Sequence, residues 1–300
     1  MQQIILPLPY TCLNEERTFR LGKNCIIEEL PIDYLERIKQ NKLISARYEK
    51  ILKNIEVGLK LTLPKKMIYE NVKKTGIFCS MLVRLSTGIP IDVPFFYYWP
   101  KKDGEMVYGE TGIRTFVNIK RNYIYPFDQG NQRKSMDLLS SKFDQFLDLF
   151  LKEGDKNRII RAILFASVGF QTHYIPTRLV NLITFLETLF TTTRYEITFQ
   201  LASRISWYLS YNNSAEEREK KFDLVKEIYN IRSNIVHGGS ISNLLNVRKI
   251  LEETEDLNTM IFNKIMEKDH VKIFSSSKSI REEQFKKLSL GLPCDLIPYT

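Results

Sequence analysis

The segment Ile228-Tyr229-Asn230-Ile231-Arg232-Ser233-Asn234-Ile235-Val236-His237-Gly238-Gly239 closes a stretch whose helical period begins near Ala215. Apolar or aromatic residues recur at Phe222, Val225, Ile228, Tyr229, Ile235 and Val236, as on one face of an amphipathic helix. Arg232 falls inside that stripe, where the pattern asks for a hydrophobe. A desolvated guanidinium needs partners, because an unpaired buried charge is very costly. Gly238 and Gly239 predict the helix stop.

Arg232 and His237 are five residues apart. At roughly 100° per residue they point about 140° apart, so they do not share a face. They line one site if the helix end faces a cleft, or if two copies of the helix meet across a two-fold axis. Histidine titrates near pH ~6.5 and exchanges protons under cell conditions. Arginine stays charged, and its planar fork suits phosphate oxygens. The pair could cleave RNA without a metal. His237 would remove the 2′-hydroxyl proton or protonate the leaving 5′-oxygen, while Arg232 holds the phosphoryl group as negative charge builds. The same residues also fit a buried arginine in a structural salt bridge, beside a terminal histidine that interacts with the helix dipole.

The surrounding pattern resembles the HEPN superfamily, and within it the Apea-like branch. The residues that carry the likeness are Leu186-Glu187-Thr188-Leu189-Phe190 on one helix, Arg204 on the next, and Tyr229 to Gly239. It covers roughly residues 140–270. The resemblance implies an α-helical domain that forms a homodimer through the motif helix. It implies RNA cleavage without metal or other cofactor, often by a toxin or anti-phage effector, with Arg232 and His237 as the catalytic pair. There are departures. Many members carry Asn, Asp or His right after the arginine, whereas this chain has Ser233, with Asn234 one place later. Some members paired with nucleotidyltransferase antitoxins carry a Tyr two residues after the His; here that place is Gly239.

Composition sets wider bounds. At 300 residues the chain holds one large domain or two ordinary ones. Its 43% hydrophobic and 12% aromatic content supports a packed core and argues against disorder. Lys and Arg number 44 against 35 Asp and Glu, a net +9. That excess favours a polyanionic partner such as RNA, and equally fits a solvated basic surface. Cys12, Cys25, Cys79 and Cys294 are too scattered for a Cys-x2-Cys ligand pair or a disulfide framework, and predict reduced thiols in a cytoplasmic protein. Met1 to Tyr10 lacks a basic n-region and is broken by Pro7 and Pro9, unlike a signal peptide. No apolar run reaches the ~18 residues that would suggest a membrane span.

Taken in order, the chain predicts an α+β fold: a mixed, strand-rich domain over residues 1–132, then an all-α, HEPN-like bundle over 133–300. In the first part Gln2 to Leu8 reads as extended, and Phe19 to Leu30 as a hairpin turning at Gly22-Lys23-Asn24. Ile32 to Val57 is the one helical region expected there. Ile77 to Leu85, Phe95 to Trp99, Met106 to Tyr108 and Gly112 to Ile119 read as strands, with a turn at Lys101 to Gly104. Phe95 to Trp99 either stacks bases or packs both faces of a buried strand. Lys60, Lys65, Lys66, Lys73, Lys74 and Arg84 form the densest basic island. It either tracks an RNA backbone, chiefly through Lys65, Lys66, Lys73 and Lys74, or protects a strand edge. This domain could bind substrate, restrain the nuclease, or respond to a trigger or inhibitor.

The polar stretch Asp128 to Lys134 marks the expected boundary. Helices follow over Met136 to Lys152, Lys156 to Phe170, from Pro176 through Phe190, Ile197 to Tyr211, the motif helix, Asn243 to Lys268 and Ile280 to Leu288. Ser275 to Ser277 reads as a flexible link. His173 and His270 fall in loops and carry no assigned role. Glu187 borders a buried stripe, so a Glu187–Arg204 or Glu187–Arg232 bridge is expected, orienting Arg232 rather than reacting. Tyr229, Ser233 and Asn234 are supporting candidates. The alternatives to a ribonuclease are a non-catalytic module that binds RNA or a nucleotide, and a structural dimerising adaptor.

Overall fold

The computed structural model describes residues 2–9, 11–31, 35–36, 40, 55–63, 67–89, 91, 93, 95–99, 107–110, 125–239 and 244–296. The fold is α+β, an antiparallel sheet followed by a helical region. It divides into two compact units, Met1–Leu151 and Lys152–Thr300. Among the described residues, no helix is long and apolar enough to cross a membrane.

In the first unit β1 (Gln3–Leu8) lies inside a six-stranded sheet. Its neighbours are β5 (Val57–Thr62) and β6 (Phe95–Trp99). Outward from β5 come β4 (Cys25–Glu29) and β3 (Thr18–Arg20); outward from β6 comes β7 (Val107–Glu110). Every pairing in this sheet is antiparallel. Ile4, Ile5, Leu6 and Leu8 are all buried, as expected of a strand covered on both faces. The hairpin read over Phe19 to Leu30 is β3 and β4. Separately, β2 (Thr11–Cys12) pairs in parallel with β8 (Tyr125–Pro126).

Three expectations for this unit need correction. Ile77 to Leu85 is not a strand but the inner part of helix α1 (Tyr69–Thr87). The helix is buried nearly all round and carries apolar residues on every side, which hides the helical period. The helix approaches β1 so closely that a Cβ on Gly76 would stand 2.8 Å from Ile4 Cδ1. Val57, expected to end a helix, instead opens β5; most of the proposed helix, with the turn at Lys101 and the strand at Gly112, lies outside the described residues. Nor is the basic island one surface. Lys60 pairs with Glu28 at 3.0 Å across two strands, and Arg84 is buried on α1, apart from Lys73 and the exposed Lys74 one to two turns from the start of that helix.

The expected boundary at residue 132 is displaced by helix α2 (Gly130–Lys152), which belongs to the first unit. Its Asp144 carboxylate accepts from Lys23 N at 3.1 and 3.2 Å, and Ser140 Oγ donates to Arg20 O at 2.9 Å. Phe150 stacks on Phe78 of α1, with ring centroids 4.2 Å apart. A polar stretch is therefore the first turn of a helix rather than a linker.

The second unit is built of α3 (Arg158–Gln171), α4 (Ile175–Phe190), α5 (Ile197–Ser210), α6 (Ala215–Val236), α7 (Leu244–Glu267), α8 (Val271–Ser275) and α9 (Lys278–Ser289). Sequence explains their starts. Asn157 caps α3, its side chain accepting from Ile159 N and Ile160 N, and Pro176 sits in the first turn of α4. Ser214 Oγ accepts from Glu217 N at 3.2 Å at the start of α6. Helix α4 is the hub and packs against α3, α5, α6 and α7. Its Leu179, Leu182, Ile183, Leu186 and Phe190 are all buried. Arg178 Nη2 meets Glu255 Oε1 of α7 at 2.6 Å, and Asn258 Nδ2 donates to Leu182 O at 3.1 Å. The stretch Ser275 to Ser277, expected to be a flexible link, closes α8 and leads directly into α9, with Ser275 Oγ on Asn157 Oδ1 at 3.3 Å.

Candidate functional site

Helix α4 ends with Glu187 one turn from its C-terminus, and α6 lays Arg232 against it. Arg232 Nε stands 3.3 Å from Glu187 Oε1, and Nη2 donates to Oε2 at 3.4 Å. Of the two bridges that the sequence left open, the structure forms Glu187–Arg232. The Nε–Oε1 contact is close, yet its N–H is not directed at the oxygen. Both atoms are buried without an aligned hydrogen bond among the described residues. Charge, more than hydrogen-bond geometry, holds this pair.

Glu187 engages the guanidinium side-on. The end-on edge, Nη1 and the second N–H of Nη2, meets no carboxylate among the described residues. The Arg232 side chain is 22% exposed, and the guanidinium carbon lies 5.6 Å from the centroid of the half-buried Tyr229 ring. Burial raises the Glu187 pKa, and Arg232 pulls it down by a smaller amount. The Tyr229 hydroxyl is raised by burial and then by Glu187.

The helix end is well formed. Gly238 takes φ +74°, donating to Ile235 O at 3.4 Å, and Gly239 N donates to Asn234 O at 2.7 Å. These two bonds and the left-handed glycine make a Schellman stop, which fixes the turn that follows α6. His237 is the last residue before that glycine. Its backbone N donates to Ser233 O at 3.0 Å and its side chain is exposed. Val236 beside it is 50% exposed, so the apolar stripe read from sequence is covered at Val225 and Ile228 but not at the end of α6. Ser233 is half-buried and Asn234 exposed; both contribute through backbone carbonyls in the bonds just given.

Arg204 lies elsewhere. Its Nη1 donates to Phe190 O at 2.5 Å and its Nη2 to Thr192 Oγ1 at 3.2 Å, so it binds the end of α4 instead of Glu187. Lys73 and Lys74 belong to α1 of the first unit, and Lys65 and Lys66 fall outside the described residues. Phe95, Phe96, Tyr97 and Tyr98 are all buried, which makes them sheet core rather than a stacking platform. His270, read as a loop residue, is 3% exposed; its Nδ1 meets the Tyr208 hydroxyl at 2.9 Å. Among the described residues, no group of three or more His, Cys, Asp or Glu is placed to hold a metal ion.

Two chemical capacities follow from this geometry. An exposed imidazole on an ordered turn can exchange protons with a bound substrate. A guanidinium anchored on one edge can present the other to a phosphate. No family model matches the chain, and no match is found among curated proteins or solved structures.

Proposed function

We propose that this chain is a metal-independent endoribonuclease of the HEPN type, acting as a homodimer through α6. The observation that supports this reading best is the end of α6, where Arg232 is anchored by Glu187 and His237 is exposed on a glycine-fixed turn. Neither side chain is sealed in the core. The half-exposed Val236 gives the same end an apolar surface for a second copy, whose Arg232 and His237 would complete the site.

In the proposed reaction the RNA 2′-oxygen loses its proton and attacks the adjacent phosphorus. The bond to the 5′-oxygen breaks, and that oxygen gains a proton. His237 carries one of these proton transfers. Arg232 holds the non-bridging oxygens as charge builds on them. The products are a 2′,3′-cyclic phosphate and a 5′-hydroxyl. The net +9 charge favours the polyanionic substrate. A cytoplasmic toxin or anti-phage effector is the setting that the HEPN resemblance implies, with the first unit as the part that a trigger or inhibitor acts on.

The test is incubation of the full chain with mixed RNA in excess EDTA, beside His237→Ala. Wild-type cleavage giving cyclic-phosphate ends, lost by about 10²–10⁴-fold in the variant, is the expected result. Equal cleavage by both proteins rules the assignment out. A second reading has one observation in its favour: Glu187 already neutralises Arg232. It makes the chain a non-catalytic RNA- or nucleotide-binding module, and predicts retention of RNA without cleavage. A purely structural adaptor predicts neither.

A further inference from the structure

Two arginines bind the C-terminal end of α4, and two more lie within electrostatic reach of them, four in all from three helices. Arg158 and Arg161 stand one turn apart at the start of α3, Arg204 comes from α5, and Arg281 from α9. Arg158 donates from Nε to Thr188 O and from Nη2 to Thr191 O. Arg204 donates to Phe190 O and Thr192 Oγ1. Two guanidinium groups are thus anchored on residues 188–192. The Arg204 guanidinium also lies over the Phe285 ring, 4.8 Å from its centroid, and Arg281 precedes Phe285 by one helical turn on α9. Arg161 Nη1 reaches Asp155 O at 3.2 Å, and Arg281 Nη1 donates to Ser276 O.

These groups are close enough to repel one another. The Arg158 pKa is pushed down to about 10 by burial, then by Arg281, Arg161 and Arg204. Arg281 is lowered by burial, then by Arg161. Arg204 falls to about 10 through burial. Opposing charge is thin. The end of α4 contributes roughly half a negative charge. Glu282 faces Arg204 and Arg281 at longer range and pairs with Lys278 at 3.5 Å. Among the described residues, no carboxylate stands within ion-pair distance of any of the four arginines.

Arg281 sharpens the problem. It is 4% exposed, and its Nε is buried with no hydrogen-bond partner among the described residues. A desolvated cationic N–H without an acceptor is strongly unfavourable. Arg158 and Arg204 have two N–H groups each on carbonyl or hydroxyl oxygens, which leaves three more on each planar fork. Arg158, Arg161 and Arg204 are all partly exposed, so one side of the cluster faces solvent.

We propose that Arg158, Arg161, Arg204 and Arg281 bind a phosphate monoester. Arg161 and Arg281 are its direct contacts, and the other two are walls fixed by the end of α4. A dianionic tetrahedral group supplies acceptors for several forks at once and offsets the excess positive charge. Such a group is the terminal phosphate of a small nucleotide or the 5′-phosphate of a nucleic acid. The site is independent of the ribonuclease reading, since no step of that cleavage uses these residues.

The experiment is calorimetric titration of the full chain with inorganic pyrophosphate, ADP, and a DNA trinucleotide with and without a 5′-phosphate. DNA lacks the 2′-hydroxyl and so survives the proposed nuclease. Saturable pyrophosphate binding is expected, weakened about tenfold or more in Arg281→Gln, the effect of losing one charge-assisted hydrogen bond. Arg161→Gln, at a partly exposed position, is the second variant should Arg281→Gln not fold. Lys249→Gln, which removes an exposed charge on α7, leaves the affinity unchanged. Preference for ADP assigns a free nucleotide. Preference for the 5′-phosphorylated trinucleotide over its 5′-hydroxyl twin assigns a nucleic-acid end. No binding at millimolar pyrophosphate overturns the proposal. So does undiminished binding by folded Arg161→Gln and Arg281→Gln, or equal binding of the two trinucleotides with none of pyrophosphate or ADP.

Discussion

At Glu187, burial and the charge of Arg232 act in opposite directions. Its pKa is raised because burial outweighs the attraction of Arg232. A carboxyl with a raised folded pKa holds its proton more tightly folded than unfolded, so its contribution to stability falls as pH rises above the ordinary value of 4.5. Glu187→Gln should therefore shift stability by less than about 1 kcal/mol, while Arg232→Ala, which strands the carboxylate, should lower it by about 1–3 kcal/mol. Urea midpoints at neutral pH check both. Full RNA cleavage by a normally folded Glu187→Ala would remove the orienting role assigned to this carboxylate. His270 gives the opposite pH slope. Burial, aided by Lys264, lowers its pKa from 6.5 to about 4. Between those values the unfolded chain binds the proton and the folded chain does not. Stability should climb by up to about 1.4 kcal/mol per pH unit from pH 4 to 6.5 and level off above. Urea titrations of wild type and His270→Gln across that range test it, and equal slopes for the two proteins contradict the assigned burial. Sequence gave no hint of this histidine: it precedes a five-residue helix too short to recognise, and Tyr208, its partner, is 62 residues away.

At the scale of elements, chain punctuation decided what could be read in advance. The helices of the second unit have caps and amphipathic faces, so Asn157, Pro176, Ser214 and Gly238 mark their ends closely. Helix α1 carries no such contrast. From Phe78 to Ser86 every residue is buried, and a mostly apolar run without a polar face looks alike in a central strand and a core helix. The Glu187–Arg232 contact was legible because both are charged residues on apolar faces. The arginine cluster was not, since its members come from three separate helices and only Arg204 stands out in the sequence, as a possible partner for Glu187. The stop of α6 carries its own test. Gly238→Ala places a side chain at φ +74° and should lower stability by about 1 kcal/mol. Under the nuclease reading it also redirects His237, so cleavage should drop by more than that loss of folded protein explains. A melting curve beside a rate measurement separates the two effects.

For the whole molecule, the position of α2 governs how the chain can be divided. Residues 152–300 expressed alone should unfold cooperatively with a helical circular-dichroism spectrum. Residues 1–132 alone should fail to do so, because that cut removes the buried Phe143 and Phe146 and the stacking partner of Phe78. Cooperative melting of the 1–132 fragment would show that α2 is dispensable to its unit.

The sulfur atoms make the two halves separately observable. Cys12, Cys25 and Cys79 lie buried in the first unit and Cys294 in the second. Burial also holds Cys25 and Cys79 in the protonated, unreactive form. An alkylating reagent can therefore capture them only when the surrounding structure opens. Mass spectrometry of the tagged peptides over time would give each half its own opening clock, with no label introduced.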